Sequence, residues 1–154
     1  MKIVILERNS VGLDVSVDCF KEFGEVEIYA NTVTTEEIKE RVKDADVIIA
    51  NKAKMNEETL CDAKNVKLIC EFATGYDNID LEYCKSRGIL ATNVRDYSTA
   101  AVAQHTFALA FYVLEKLAYY DNYVKSGAYG NQNKFSNYDK IFTELEGKTW
   151  GIVG

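Results

Sequence analysis

Between residues 2 and 92, short runs that are apolar on both faces alternate with turns and helical patterns. Lys2–Glu7 reads as a strand and Asp14–Phe23 as a helix. Glu25–Ala30 is the next strand. Thr34 then caps a helix that runs to about Lys43, with Glu37 three residues on completing a capping box. Asp46–Ala50 is a strand, and Asn56 opens a short helix over Glu57–Ala63. Lys67–Phe72 is a strand, Asp80 caps a helix that runs through Ser86 to Gly88, and Ile89–Thr92 is the fifth strand. Strands apolar on both faces must be covered on both faces, which an all-parallel sheet with crossover helices achieves. Right-handed crossovers then leave a flavodoxin-like α/β fold, a five-stranded parallel sheet of order 2-1-3-4-5 with helices on both faces.

Such a sheet binds ligands outside the carboxyl ends of its strands. That rule nominates four loops: Arg8–Gly12, Asn51–Met55, Ala73–Asn78 and Asn93–Ser98. After the fifth strand, one long helical pattern runs from Ser98 to about Lys125. Phe107, Ala110, Phe111, Leu114 and Leu117 recur at helical spacing, and Val102, Ala103 and Leu109 widen the apolar face. That width predicts burial between two bodies, either a second domain or a second subunit; a helix covering its own sheet is the alternative. A polar, glycine- and aromatic-rich stretch follows, read as a connection anchored by Tyr129, Phe135 and Tyr138. The sequence closes with Gly147-Lys148-Thr149-Trp150-Gly151-Ile152-Val153-Gly154, a turn glycine, an apolar strand and a glycine. A dinucleotide-binding βαβ unit opens this way, with Gly154 as the first glycine of a Gly-x-Gly-x-x-Gly phosphate turn. The predicted organisation is a substrate domain over 1–97, an interdomain or dimer-interface helix over 98–126, a connection over 127–147, and over 148–154 the first strand of a Rossmann domain not contained in this sequence. Thr149–Val153 has no sheet of its own, so it is expected to be mobile or to pack on a neighbouring surface.

Composition removes several functional classes. The net charge of −6 argues against a nucleic-acid surface. No apolar run reaches the ~20 residues of a membrane span, and Glu7 ends the first apolar run too early for a signal peptide. Cys19, Cys61, Cys70 and Cys84 lack C-x-x-C spacing, and His105 is the only histidine, so no metal site is expected. Buried, reduced thiols in a cytoplasmic protein are the expectation.

Two loops hold residues suited to chemistry. In Ala73-Thr74-Gly75-Tyr76-Asp77-Asn78-Ile79-Asp80, Thr74 and Gly75 can aim consecutive N–H groups at an anion such as a carboxylate, and Gly75 lacks the Cβ that would stand in the way. Asp77 or Asn78 can close the turn through its side chain. A plain turn before the helix capped by Asp80 fits the same residues. In the segment from Asn93 to His105, a polar loop meets a helix N-terminus, which suits an anion or a cofactor phosphate; Ser98 or Thr99 can equally act as an ordinary cap. His105 lies two turns inside that helix on an apolar stretch and reads as a hydrogen-bonded packing residue rather than a catalytic base.

Several motifs occur in order: Thr74-Gly75-Tyr76-Asp77-Asn78-Ile79-Asp80, Arg87-Gly88-Ile89, Thr92-Asn93-Val94, Val102 through Leu109 with its Ala-Gln-His, and Leu145-Glu146-Gly147-Lys148-Thr149-Trp150-Gly151-Ile152-Val153-Gly154. With these the chain resembles the N-terminal part of the D-isomer-specific 2-hydroxyacid dehydrogenases, most closely their glycerate dehydrogenase (hydroxypyruvate reductase) branch, where Asn51-Lys52 is also familiar. The resemblance implies a substrate domain facing a Rossmann domain. It also implies hydride transfer between NAD or NADP and a small 2-oxo or D-2-hydroxy acid such as hydroxypyruvate, glycerate or glyoxylate. Thr74, Gly75, Lys52 and Ser98 would contact substrate. Thr74, Thr99 and Gly154 would contact the cofactor. The catalytic arginine, glutamate and histidine of the family are expected beyond Gly154, so the 154-residue chain alone is expected to be inactive. A homodimer in the cytoplasm, with no nucleic-acid or membrane partner, completes the expectation. A non-enzymatic nucleotide-sensing or dimerising module of the same fold is the alternative. A phospho-acceptor receiver fits poorly, since Glu7-Arg8 and Asn51-Lys52 stand where it needs acids.

Overall fold

The computed structural model describes residues 1–153. Its backbone falls into two units, residues 1–97 and the chain from Ser98 onward. In the first unit, β1 (Lys2–Ile5), β2 (Glu25–Ile28), β3 (Val47–Ala50), β4 (Leu68–Glu71) and β5 (Leu90–Thr92) form one sheet of order 2-1-3-4-5. Every pairing is parallel, with Ile3 beside Val47, Ile49 beside Cys70 and Ile69 beside Ala91. The predicted α/β sheet is therefore present in both order and direction.

The two-residue period of a strand sorts its side chains. Val4, Ile48, Ala50 and Ile69 enter one core with Ile38 and Val42 of α1 (Thr35–Val42), Leu60 of α2 (Glu57–Leu60) and Cys84 of α3 (Leu81–Ser86). Ile3, Ile5 and Ile49 enter a smaller core on the other face, closed by Val17 and Phe20. Helix α1 starts as its sequence dictates: the Thr34 side chain accepts from the Glu37 N–H, and Glu37 accepts from Thr34 in return. Asn56 and Asp80 cap α2 and α3 in the same way through their side-chain oxygens.

The second face departs from expectation. Asp14–Phe23 is not a helix; only Asp18–Glu22 winds, as a 3-10 turn. The Arg8 guanidinium explains this. It donates to the carbonyls of Val11 (3.1 Å), Gly12 (3.2 Å) and Val15 (2.6 Å), which fixes the approach to the segment in a loop and engages one carbonyl, that of Val15, inside it. The β-branched Val11, Val15 and Val17 add little helix propensity to resist it.

In the second unit, the single long helix expected over 98–125 is two helices, α4 (Thr99–Leu114) and α5 (Leu117–Lys125). They part at Lys116, which is left-handed (φ 54°). Tyr129, Phe135 and Tyr138 do not anchor the connection: Phe135 is 93% and Tyr138 82% exposed. Tyrosines on α5 hold it instead. The hydroxyls of Tyr119, Tyr120 and Tyr123 donate to Asp139 Oδ2 (3.1 Å), the Lys140 carbonyl (2.8 Å) and Gln132 Oε1 (2.6 Å). A phenol offers a hydrogen-bonding tip that Phe135 lacks. Thr149–Val153 forms no strand, because no described strand lies beside it. Trp150 instead meets Phe107 and Phe111 edge-on, with ring centroids 5.2 and 6.2 Å away. Gly154 lies outside the described residues.

Candidate functional site

The four loops named from the sequence leave the carboxyl ends of β1, β3, β4 and β5, at one edge of the first unit. The one after β4 has the most distinctive geometry. Thr74, Gly75, Tyr76 and Asp77 are all exposed. Among the described residues, none of their main-chain N–H groups makes a hydrogen bond. Backbone donors are usually paired or wet, so a run of free N–H groups at a sheet edge suits an anion. A Cβ built on Gly75 would approach only Asp77 Oδ2, at 4.0 Å. The space on the Cβ side of Gly75 is therefore open.

The loop is nevertheless held firmly. The Thr74 hydroxyl donates to the Val94 carbonyl (2.9 Å), Asn93 Nδ2 donates to the Thr74 carbonyl (2.7 Å), and the Val94 N–H donates to the Ala73 carbonyl (3.0 Å). On the opposite side, Asn78 Nδ2 donates to the Ala53 carbonyl (3.1 Å) and to Glu71 Oε2 (3.0 Å). The Met55 N–H donates to the Asn78 carbonyl (2.9 Å). Asn78 thus closes no turn of its own. It ties the β4 loop to the β3 loop, the segment that carries Lys52.

Glu7 fixes that segment in turn. Its carboxylate, at the end of β1, accepts the N–H groups of Asn51 (2.7 Å), Lys52 (2.8 Å) and Ala53 (3.1 Å). A buried acid fills one nest of backbone donors while the neighbouring nest at Thr74 stays free. The Lys52 side chain remains exposed, beside a cavity of about 530 Å³ of mixed lining that includes Glu7, Thr32, Val33, Ile38 and Lys54. On the other side of the sheet edge lies an apolar cavity of about 570 Å³, lined by Val11, Val17, Phe20, Asn51, Phe72 and Val94.

Glu71 is the least expected group. It ends β4, shares the Ile69 side of the strand and is 1% exposed. Its Oε1 has no hydrogen-bond partner. Burial pushes this carboxyl up to about 7, and the Glu7 charge adds to the rise; Asn78 and Lys52 pull the other way. Neither Glu7 nor Glu71 follows from motif reading. The available signal is an acid that directly follows an apolar run, Leu6-Glu7 just past β1 and Cys70-Glu71 at the end of β4.

The remaining predicted residues stand elsewhere. Ser98 and Thr99 belong to the second unit. Ser98 is the N-cap of α4, yet its side chain makes no capping bond, and no acid stands in the first turn. His105 is exposed and makes no hydrogen bond among the described residues, contrary to the packing role expected of it. Of the four thiols, Cys84 is buried, Cys61 and Cys70 are half-buried and Cys19 is exposed, because the Cys19 segment lies on the surface as a 3-10 turn rather than as a packed helix. No helix is long and apolar enough to cross a membrane among the described residues.

Residues 3–146 match the catalytic domain of the D-isomer specific 2-hydroxyacid dehydrogenases. The chain is 35% identical over 153 residues to a glycerate dehydrogenase of Methylorubrum extorquens, covering 99% of this chain and 48% of that protein. It is 31% identical over 157 residues to a hydroxypyruvate reductase of Blautia hydrogenotrophica, covering 100% of this chain and 49% of the relative. The chain therefore spans about half the length of the curated relatives it matches. Among solved structures, an acyclic imino acid reductase in complex with NADPH and D-Arg superposes with a TM-score of 0.76 at 26% identity, over 94% of this chain and 46% of that one. A D-lactate dehydrogenase from Aquifex aeolicus, complexed with NAD and lactic acid, superposes with a TM-score of 0.66 at 29% identity, over 94% of this chain and 41% of that one.

Proposed function

The chain belongs to the D-isomer specific 2-hydroxyacid dehydrogenase family, and from that premise we propose that it carries the substrate-holding part of an NAD(P)-dependent oxidoreductase acting on a small 2-oxo acid and its D-2-hydroxy counterpart. Hydroxypyruvate and glycerate, or glyoxylate, are the favoured substrates, since the relatives include a glycerate dehydrogenase and a hydroxypyruvate reductase. The observation that carries the reading is the run of free, exposed N–H groups from Thr74 to Asp77.

In this reading the Thr74 and Gly75 amides hold the substrate carboxylate. Asn93 and Val94 brace them from the segment just after β5, and Asn78 ties their own loop to the β3 loop. Lys52, with its main chain clamped by Glu7, places a cation on the same edge for a second anionic or carbonyl oxygen. Ser98 contributes to substrate and Thr99 to the cofactor from the free N-terminus of α4, and Thr74 and Gly154 also border the cofactor. A bound nicotinamide supplies or accepts the hydride. The chain's own part is orientation, which holds the reacting carbon within about 3–3.5 Å of its partner. The general acid–base and the arginine lie in the part of the family's length that this sequence does not span, so residues 1–154 alone bind a carboxylate without turnover.

A homodimer is proposed on separate grounds: Val102, Leu109 and Val113 of α4 are 59, 53 and 64% exposed, an apolar face that a second copy would cover. Unpaired cysteines and a soluble cofactor favour the cytoplasm. The test is NADH and NADPH oxidation by the complete reading frame against hydroxypyruvate, glyoxylate and pyruvate. Turnover of at least one is expected, and inactivity with all three removes the enzyme reading.

A further inference from the structure

A buried carboxyl stands three residues before a run of free main-chain N–H groups. Glu71 lies just N-terminal to the loop that presents the free amides, is 1% exposed, and leaves Oε1 unpaired. Its other oxygen accepts from Asn78 Nδ2 at 3.0 Å. The second N–H of the same Asn78 amide goes to the Ala53 carbonyl at 3.1 Å, so the donors of this side chain are fully used. Asn78 ends the segment of free N–H groups, and Glu71 precedes it. The loop is thus pinned near both ends by one hydrogen-bonded pair.

We propose that Glu71 is a positioning residue: through Asn78 its carboxyl sets the shape of the 73–78 loop, and its ionisation weakens the hold of the Thr74 and Gly75 amides on an anion. This rests on the carboxylate-cradle reading given above. Glu71 itself touches no substrate.

The direction follows from the surroundings. Two charged groups act on Glu71: the Glu7 carboxylate from the end of β1, which opposes its ionisation, and Lys52 from the β3 loop, which favours it. Asp77 and Asp80, on its own loop, are exposed, and Thr92 at the facing end of β5 is uncharged. The orphan Oε1 has no donor to stabilise a negative charge, so the neutral acid suits the site. Losing the proton places a second negative charge near Glu7, at the start of the loop that carries the free amides. That charge draws on Asn78 and repels a carboxylate in the cradle. An anion bound to Thr74 and Gly75 must in turn make Glu71 harder to ionise.

The test uses the 15N-labelled 154-residue chain and the backbone amide signals of Thr74, Gly75, Tyr76 and Asp77. Without ligand, these signals and the Asn78 side-chain NH2 should titrate together with a midpoint near 7 in the wild type. In Glu71→Gln, which keeps an acceptor for Asn78 but has no proton to lose, they should be flat over the same range. With D-glycerate as probe, the wild-type dissociation constant should rise about fivefold between pH 6 and 8, within the tenfold per pH unit that one coupled proton permits. That of Glu71→Gln should change less than about twofold over the same range, because the linked proton is gone. A purely structural Glu71 would alter unfolding but leave the wild-type loop signals and glycerate affinity independent of pH, and that result overturns the proposal. If Glu71→Gln does not fold, the wild-type Asn78 side chain decides: a flat titration overturns the coupling, and a shared midpoint supports it. Loop signals that titrate without any response to D-glycerate would remove the carboxylate reading and leave the control of the loop by Glu71 standing.

Discussion

At the scale of single residues, the sheet edge is organised by acids and an amide facing inward. Glu7 satisfies three main-chain donors at once, and each would cost about 1–3 kcal/mol if left buried and unpaired. Glu7→Ala is therefore expected to lower the unfolding free energy by several kcal/mol, read from the urea midpoint. Glu71 acts in the opposite sense. Its carboxyl titrates near 7 in the folded chain, against 4.5 for its ordinary value. The folded state therefore binds more protons than the unfolded state between those limits. Stability falls as pH rises through that window, by about 3 kcal/mol in total, and levels off above it. Comparing wild type with Glu71→Gln by urea unfolding at pH 5 and pH 8 isolates the effect: the variant should gain on the wild type at pH 8. Gly75 separates binding from folding. Its Cβ position is open, so Gly75→Ala should leave the melting temperature within about 2 °C, while the added methyl beside the free amides weakens D-glycerate binding. The sequence disclosed Thr74 and Gly75 because glycine and hydroxyl residues stand out in a loop. It hid Glu7 and Glu71, whose roles depend on what lies across the sheet rather than on neighbours in the chain.

At the scale of elements, what could be read in advance is what local chemistry decides. The capping box at Thr34 and Glu37, the caps at Asn56 and Asp80, and the two-sided apolar strands gave boundaries within one to three residues of those observed. Thr34→Ala should cost about 1 kcal/mol, since it removes the acceptor for the Glu37 N–H. The failures have a different origin. The Asp14–Phe23 helix is lost to a cation that precedes it in the chain, and nothing in the segment announces that Arg8 will hold the Val11 and Gly12 carbonyls before it and the Val15 carbonyl within it. The break in the long helix falls at Lys116 with neither glycine nor proline to mark it, and the apolar period runs on through Leu114 and Leu117. A left-handed lysine costs about 1 kcal/mol or more relative to a residue at ease there. Lys116→Gly should therefore stabilise the second unit by roughly 0.5–1 kcal/mol, seen as a higher midpoint when α4 and α5 are followed by hydrogen exchange.

At the scale of the whole molecule, the first unit and the second pose different problems. The first has a closed core on its helical side and a free nest on its carboxyl edge, a self-sufficient frame for holding an anion. The second has none of its α4 residues buried, although that helix is apolar over much of its circumference. Among the exposed side chains are Val102, Leu109, Tyr112 and Val113, while Phe107 and Phe111 pack only in part, against Trp150. A contiguous apolar helix surface left in water favours association, and burying it recovers about 25 cal/mol per Å². The wide apolar stripe was legible in the sequence; its partner was not, because a stripe says that something covers it without saying what. If a second copy does, sedimentation velocity should give twice the 17.4 kDa chain mass for the wild type and the monomer mass for Leu109→Asp with Val113→Asp. Both side chains are exposed within one chain, so the double variant should keep the circular dichroism of the wild type and lose only self-association. A wild type that stays monomeric at high concentration would withdraw the homodimer reading.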